Sequence, residues 1–195
     1  WRVGGTADAL YTPKDLEDLK MFLKNENYLK PLTFIGLGSN ILVRDGGIRA
    51  TVIVMHAALN NIQFTEDGVY AEAGNTCAKL AKNLAKEHYV GEEFFAGIPG
   101  TIGGALAMNA GCYGSETWNF VTKVNMIDAQ GNTVSRLKED FKISYREVVK
   151  PKNDEWFIGA WFNFEKDMSA NPEKKIKEKC QFQKINNHED LFPIG

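Results

Sequence analysis

Residues that build metal centres and disulfide frameworks are scarce in this sequence. Its 195 residues include three cysteines and three histidines. Cys77, Cys112 and Cys180 show neither metal-ligand nor redox-pair spacing, and the scattered histidines support neither a zinc site nor a Ser-His-Asp triad. We therefore expect no bound metal, reduced thiols and a cytoplasmic location.

An excess of one charge and long apolar runs are also missing. The chain has 23 Lys and Arg against 25 Asp and Glu, a net charge of −2. This balance argues against a nucleic-acid or membrane-surface partner. No apolar stretch reaches the ~18–20 residues that cross a bilayer. Hydrophobic residues nevertheless make up 44% of the chain, which excludes intrinsic disorder as its main state.

The hydrophobic periodicity that is present predicts a mixed α+β fold with short connections. A helix is predicted to begin with Thr12 as its N-cap and Pro13 in its first turn. The other predicted helices lie at residues 76–88, 105–109 and 172–186. The predicted strands are Ala7–Tyr11 and residues 32–35, 50–55 and 156–164, with hairpins at 62–72 and 123–136.

Two glycine-rich segments carry the chemical information. The first is Gly36-Leu37-Gly38-Ser39-Asn40, and the second covers residues 97–104. A glycine at a close approach or at positive φ leaves backbone N–H groups free for phosphate oxygens. The strand-like run at residues 41–43 shows that the first segment is not a dinucleotide fingerprint, which would open a helix. The segment is not a P-loop either, because no Gly-Lys-Ser/Thr follows. Ordinary turns would also explain both segments, and the residues alone leave this open.

The order of several motifs resembles the UDP-N-acetylenolpyruvoylglucosamine reductase family over nearly the whole chain. The matching motifs are Trp1-Arg2-Val3-Gly4-Gly5, residues 36–43, residues 46–49, residues 97–105, residues 108–114 and Tyr145-Arg146. The resemblance implies an α+β fold of two subdomains, the FAD-binding fold of the vanillyl-alcohol oxidase (PCMH) type. The expected parts are a β-α-β FAD-binding subdomain at residues 1–72, a second FAD-binding subdomain at 73–170 and a helical segment at 171–195.

The same resemblance implies an oxidoreductase, a flavoprotein with FAD as cofactor. NADPH would reduce the FAD, which would pass hydride to an enolpyruvyl UDP-sugar and give UDP-N-acetylmuramate for peptidoglycan synthesis. That step belongs to cell-wall biogenesis, which cell shape and cell division require. The implied partners are this UDP-sugar and NADPH, with no protein partner. Two alternatives stay open: a non-catalytic flavin-binding module, and another FAD-linked oxidoreductase on the same fold.

Site residues are carried over from the family one by one. Arg146 is the expected catalytic residue, because a forked cation stabilises enolate charge and grips a carboxylate. Tyr145 is expected beside it at the substrate. The expected cofactor-binding residues are Gly36, Leu37, Gly38, Ser39, Asn40, Ile41, Gly97, Ile98, Pro99, Gly100, Thr101, Gly104, Asn109 and Gly111. The family's serine proton donor and its later glutamate are expected beyond residue 195, in a substrate-binding domain that this sequence lacks.

Overall fold

The computed structural model describes residues 4–56 and 58–189. In chain order its strands are β1 (Ala7–Tyr11), β2 (Leu32–Ile35), β3 (Ile48–Val54), β4 (Ile62–Thr65), β5 (Gly68–Glu72), β6 (Tyr89–Val90), β7 (Gly111–Cys112), β8 (Ser115–Glu116), β9 (Val121–Asp128), β10 (Thr133–Leu137), β11 (Lys142–Ser144), β12 (Glu147–Val149), β13 (Glu155–Phe162) and β14 (Glu165–Lys166). The helices are α1 (Leu16–Lys24), α2 (Cys77–Lys86), α3 (Glu93–Ala96), α4 (Ile102–Met108) and α5 (Pro172–Glu189). Of the family-like motif at residues 1–5, residues 1–3 lie outside the described residues.

A small parallel sheet forms the first part of the fold. Its strand order is β1-β3-β2, and α1 connects β1 to β2. The helix begins later than the sequence indicated: its N-cap is Asp15, not Thr12, because the Asp15 carboxylate accepts the N–H of Asp18 at 2.9 Å. The predicted apolar face is confirmed, since Leu19 and Leu23 are fully buried.

A five-stranded antiparallel sheet forms the second part, in the order β10-β9-β13-β5-β4. Helices α2, α3 and α4 share its larger core cluster, which includes the fully buried side chains of Phe94, Phe95 and Trp118. The β4–β5 hairpin belongs to this sheet because β5 pairs with β13. The sheets therefore divide between Val54 and Ile62, and not at the expected boundary after residue 72.

The two sheets are joined by a second core cluster. Leu19, Leu23 and Ile53 from the small part pack with Ile127 and Ile158 of the large sheet. Next to them the rings of Phe34 and Trp156 stack with centroids 4.5 Å apart. This packing fixes the end of β2, and the loop that follows it, against the second part of the fold.

The loop after β2 corrects a further expectation from the sequence. The apolar run at residues 41–43 forms no strand, and the side chains of Ile41 and Leu42 are 47% and 69% exposed. These residues leave the sheet and follow the glycine-rich turn instead. Across the described ranges, 4–56 and 58–189, no helix combines the length and hydropathy needed to span a membrane.

Candidate functional site

The two glycine-rich segments face each other across one cleft of about 440 Å³. The first follows the carboxyl end of β2, and the second runs into the start of α4. A Cβ built on Gly36 would overlap Oγ1 of Thr101, and one on Gly100 would lie 3.5 Å from Oγ of Ser39. The lining residues are Phe34, Ile35, Gly36, Leu37, Gly38, Ser39, Asn40, Ile41, Gly97, Ile98, Pro99, Gly100, Thr101, Gly104, Ala105, Ala107, Met108, Ala110, Gly111 and Arg146.

The first segment offers unused hydrogen-bond donors. Within the described part of the chain, the backbone N–H groups of residues 37–40 donate to no protein acceptor. The turn is closed behind them by the N–H of Ile41, which donates to the carbonyl of Gly38 at 3.4 Å. Gly38 has φ +70° and open space where a side chain would stand. Successive free N–H groups of this kind bind anions such as phosphate.

The start of α4 has no such donors to spare. The N–H of Ile102 donates to the carbonyl of Asn75, and that of Gly103 to the carbonyl of Ala73. The N–H of Gly104 lies 3.4 Å from Oγ1 of Thr101, the N-cap residue. Within the cleft, the free backbone donors therefore belong to the segment after β2, while the second segment supplies a wall of glycines and of the uncharged side chains of Ile98, Pro99 and Thr101.

Arg146 lies at the edge of the cleft, in the two-residue turn between β11 and β12. Its φ is +56°, which is uncommon for a residue with a side chain. Of the residues that line the cleft it alone carries a formal charge, and in the described part of the chain it forms no ion pair. Tyr145 precedes it, 78% exposed and not among the lining residues. The cleft therefore combines a neutral wall with one available cation.

Asn109 is the expected cofactor-binding residue that the structure places elsewhere. It lies outside the cleft lining, 2% exposed, at the C-terminal end of α4. Its amide is fully engaged with protein groups: Nδ2 donates to Glu116 Oε2 and to the Ser144 carbonyl, and Oδ1 accepts the N–H of Trp118. Both of its N–H donors are thus used within the protein, and the buried side chain does not reach the cleft.

The sequence did not indicate several apolar residues that line the cleft. Phe34 and Ile35 come from the end of β2, and Ala107 and Met108 from the last turn of α4. Their signal was weak, because an apolar strand end and an apolar helix face are what a buried core also requires. The expected glycines lie in the two segments that line the cleft, but only the fold shows which neighbours form its walls.

A smaller cavity of about 130 Å³ adjoins the cleft at Gly36 and Thr101. Lys150 and Glu155 also line it. Hydrogen bonds of 2.6 Å from both Nε and Nη2 of Arg136 hold the pKa of the Glu155 carboxyl below its usual range. Burial lowers the pKa of the Lys150 amine, whose Nζ donates to the backbone carbonyls of Asn153 and Glu155. Both charged groups of this cavity therefore already have protein partners. No cluster of three metal-ligating side chains occurs among the described residues.

Comparison with known proteins identifies the family. The family described as FAD binding domain matches residues 7–136. This chain belongs to the FAD-binding domain family. The α+β FAD-binding fold that the sequence predicted is thereby confirmed.

Within this FAD-binding family, the similar proteins are reductases. The UDP-N-acetylenolpyruvoylglucosamine reductase of Nitrosospira multiformis is 45% identical over 202 residues, covering 91% of this chain and 58% of that protein. The enzyme of the same name from Nitrosococcus oceani is 52% identical over 161 residues, covering 82% of this chain and 54% of its own length. These relatives confirm the resemblance seen in the motifs. The chain spans a little more than half the length of these curated relatives.

Among solved structures, UDP-N-acetylenolpyruvylglucosamine reductase (MurB) from Thermus caldophilus is similar in fold. The TM-score is 0.74 at 24% sequence identity, over 90% of this chain and 62% of that one. At this identity the match bears on the fold alone. It supports the two-part architecture in which the cleft lies.

Proposed function

We propose that this chain is the FAD-binding part of a UDP-N-acetylenolpyruvoylglucosamine reductase. The intact enzyme would use NADPH to reduce the enolpyruvyl UDP-sugar to UDP-N-acetylmuramate in the cytoplasm. One observation carries the proposal: the free N–H groups of residues 37–40, the glycine wall and Arg146 line a single cleft. The names of the relatives that share most of this chain support it.

The residues of the cleft fit FAD. Backbone N–H groups of residues 37–40 would hold the pyrophosphate, since a turn with free donors suits a dianionic group. Gly38 and Gly100 would let the backbone approach the cofactor, because a Cβ at either position meets open space or only Ser39. Ile98, Ala107 and the other apolar lining residues would cover a planar ring. When bound, FAD supplies the hydride-transfer chemistry, and the protein supplies position and electrostatics.

Arg146 would act on the substrate. Hydride addition to an enolpyruvyl group develops negative charge next to a carboxylate, and a guanidinium stabilises such charge through paired N–H donors. Because Arg146 makes no ion pair in the described part of the chain, its donors are available for that carboxylate. Its place on a turn at the cleft edge would present it to a substrate that enters from solvent.

Stopped-flow kinetics on the intact protein that contains this chain test the proposal. Arg146→Ala should retain FAD and its reduction by NADPH, and lose about 10²–10³ in the rate of flavin reoxidation by the enolpyruvyl UDP-sugar. Arg146→Lys should recover only part of that loss, since an ammonium lacks the forked geometry. Arg49→Ala is the control, because Arg49 is an exposed partner of Asp8 away from the cleft. An unchanged reoxidation rate in Arg146→Ala would instead favour a flavin-binding module without this activity.

A further inference from the structure

The hairpin that carries Arg146 is short and has few ties to the rest of the fold. Strands β11 and β12 have three residues each, and within the described part of the chain they pair only with each other. At the base of the hairpin, Ile143 and Val148 pack against the large core cluster. Both residues of its turn are exposed. The position of the Arg146 guanidinium therefore depends on whatever fixes the backbone next to the turn.

Asn109 supplies a bond at that point. Its Nδ2 donates to the backbone carbonyl of Ser144, the last residue of β11, at 3.2 Å. The same Nδ2 donates to Glu116 Oε2 at 2.7 Å, and Oδ1 accepts the N–H of Trp118 at 3.2 Å. These bonds hold the amide in one orientation, so the bond to Ser144 connects the hairpin to a rigid anchor.

The backbone of Asn109 suits this role. It ends α4 in the left-handed conformation, with φ +41°, and its N–H donates to the carbonyl of Ala105. Asparagine tolerates this conformation better than most residues with side chains. Since α4 also lines the cleft, the amide connects the cleft wall directly to the hairpin that bears Arg146.

We infer that Asn109 is a positioning residue, which holds the β11–β12 turn so that Arg146 faces the cleft. The inference rests on the proposed function of Arg146. It replaces the expected contact of Asn109 with the cofactor by an action through the hairpin. On this account, a protein without the Asn109–Ser144 bond keeps its cofactor site but loses the fixed position of its arginine.

One double variant removes this bond and keeps the others. In Asn109→Asp/Glu116→Gln the donor and the acceptor are exchanged, so the new amide donates to the new carboxylate and Trp118 keeps its acceptor. The Ser144 carbonyl alone loses its donor. Glu116→Gln by itself is the matched control, because its side-chain oxygen still accepts from Asn109.

Hydrogen–deuterium exchange on the flavin-free chain gives the first readout. Amides of residues 142–149 should exchange at least about tenfold faster in the double variant than in Glu116→Gln, with the β9–β10 hairpin unchanged. Asn109→Gly is a second variant, since glycine adopts positive φ freely. Its control is Glu26→Gly, at a second left-handed position that is exposed and has φ +50°. Equal exchange of residues 142–149 in variants and controls would overturn the inference.

A double-mutant cycle in the intact, FAD-loaded protein gives the second readout. The Asn109→Asp/Glu116→Gln change should slow flavin reoxidation by the enolpyruvyl UDP-sugar about 10–100-fold, with FAD affinity within about threefold of the control. In an Arg146→Ala background the same change should have no further effect, because its action passes through that arginine. Equal slowing in both backgrounds would refute the positioning role. If Arg146→Ala alone leaves reoxidation unchanged, the proposed function fails instead.

Discussion

Gly36 and Thr101 lie in direct contact and join the two segments that form the cleft. A Cβ on Gly36 would overlap Oγ1 of Thr101 and lie 2.9 Å from its Cγ2. Thr101 is 2% exposed and caps α4, so it has little freedom to move away. The close approach of the Thr101 side chain to the Gly36 backbone therefore requires a residue without a side chain at position 36.

This contact predicts a non-additive pair of substitutions. Gly36→Ala should destabilise the protein by about 1–3 kcal/mol through overpacking, and Thr101→Ala by about 1 kcal/mol through loss of the cap. In the double variant the overlapping Oγ1 is gone, so the total loss should be smaller than the sum. Urea unfolding of the four proteins measures this coupling. Strictly additive changes in the free energy of unfolding would mean that Gly36 and Thr101 are not in tight steric contact.

A buried ion pair lies on the far side of the large sheet from β4. Its removal should cause a large loss of stability. Arg136 on β10 holds Glu155 on β13 through two bonds of 2.6 Å, and Glu155 is only 2% exposed. Arg136→Ala leaves this buried carboxylate with only the exposed Lys152 amine, 4.0 Å away, and should cost about 3–5 kcal/mol. Arg49→Ala, which removes an exposed partner of Asp8, should cost at most about 1 kcal/mol. Chemical denaturation measures the free energy of unfolding of the two variants. Similar losses would show that the Arg136–Glu155 pair stabilises the fold no more than the exposed Arg49–Asp8 pair does.

Glu92 predicts an unusual pH dependence. Its side chain is fully buried, neither carboxylate oxygen has a hydrogen-bond partner among the residues that the structure describes, and burial raises its pKa to about 7. The folded protein therefore holds this proton more tightly than the unfolded chain does. Stability should fall as the pH rises from about 4.5 to about 7, and the penalty should be complete above that range.

Glu92→Gln removes this titration. The variant should be more stable than the parent at pH 8, by on the order of 2 kcal/mol, and close to it at pH 4.5. Melting temperatures between pH 4.5 and pH 8 provide the measurement. Glu66→Gln in an exposed turn is the control and should leave the profile as it is. If melting temperature depends on pH in Glu92→Gln as it does in the parent protein, the titration belongs to another group.

Local features of this fold could be predicted from the sequence, because their causes lie within a few residues. The β4–β5 hairpin around Asp67-Gly68 and the helix capped by Thr76 are confirmed. The start of α1 was predicted wrongly because Thr12 and Asp15 both suit an N-cap, and only Asp15 has its partner N–H at the correct distance. Choosing between two such signals requires the three-dimensional path of the chain.

The errors that remain come from contacts between residues far apart in sequence. The boundary between the parts was placed too late because β5 pairs with β13, almost ninety residues further on. Asn109 was assigned to the cofactor because its neighbours in sequence line the cleft, whereas its side chain bonds to Ser144. The two glycine-rich segments that the sequence singled out do line one cleft, and they could be found because the conformational freedom of glycine is a property of the residue itself.

We propose that FAD binds in the cleft between the two glycine-rich segments. A flavin titration is the most direct test of this site. Gly38→Val and Gly100→Val would each project a side chain into the cleft, and at Gly38 would also strain a backbone with φ +70°. Gly114→Val and Gly46→Val are the matched controls. Both control glycines have open space around an added Cβ, Gly114 also has positive φ, and neither lines the cleft.

The titration follows flavin fluorescence as FAD is added to flavin-free protein, with far-ultraviolet circular dichroism to confirm that each variant is folded. We expect Gly38→Val and Gly100→Val to remain folded and to lose at least about a hundredfold in FAD affinity. Both control variants should bind FAD as tightly as the parent protein does. Stoichiometric FAD binding of unchanged affinity in both cleft variants would contradict it.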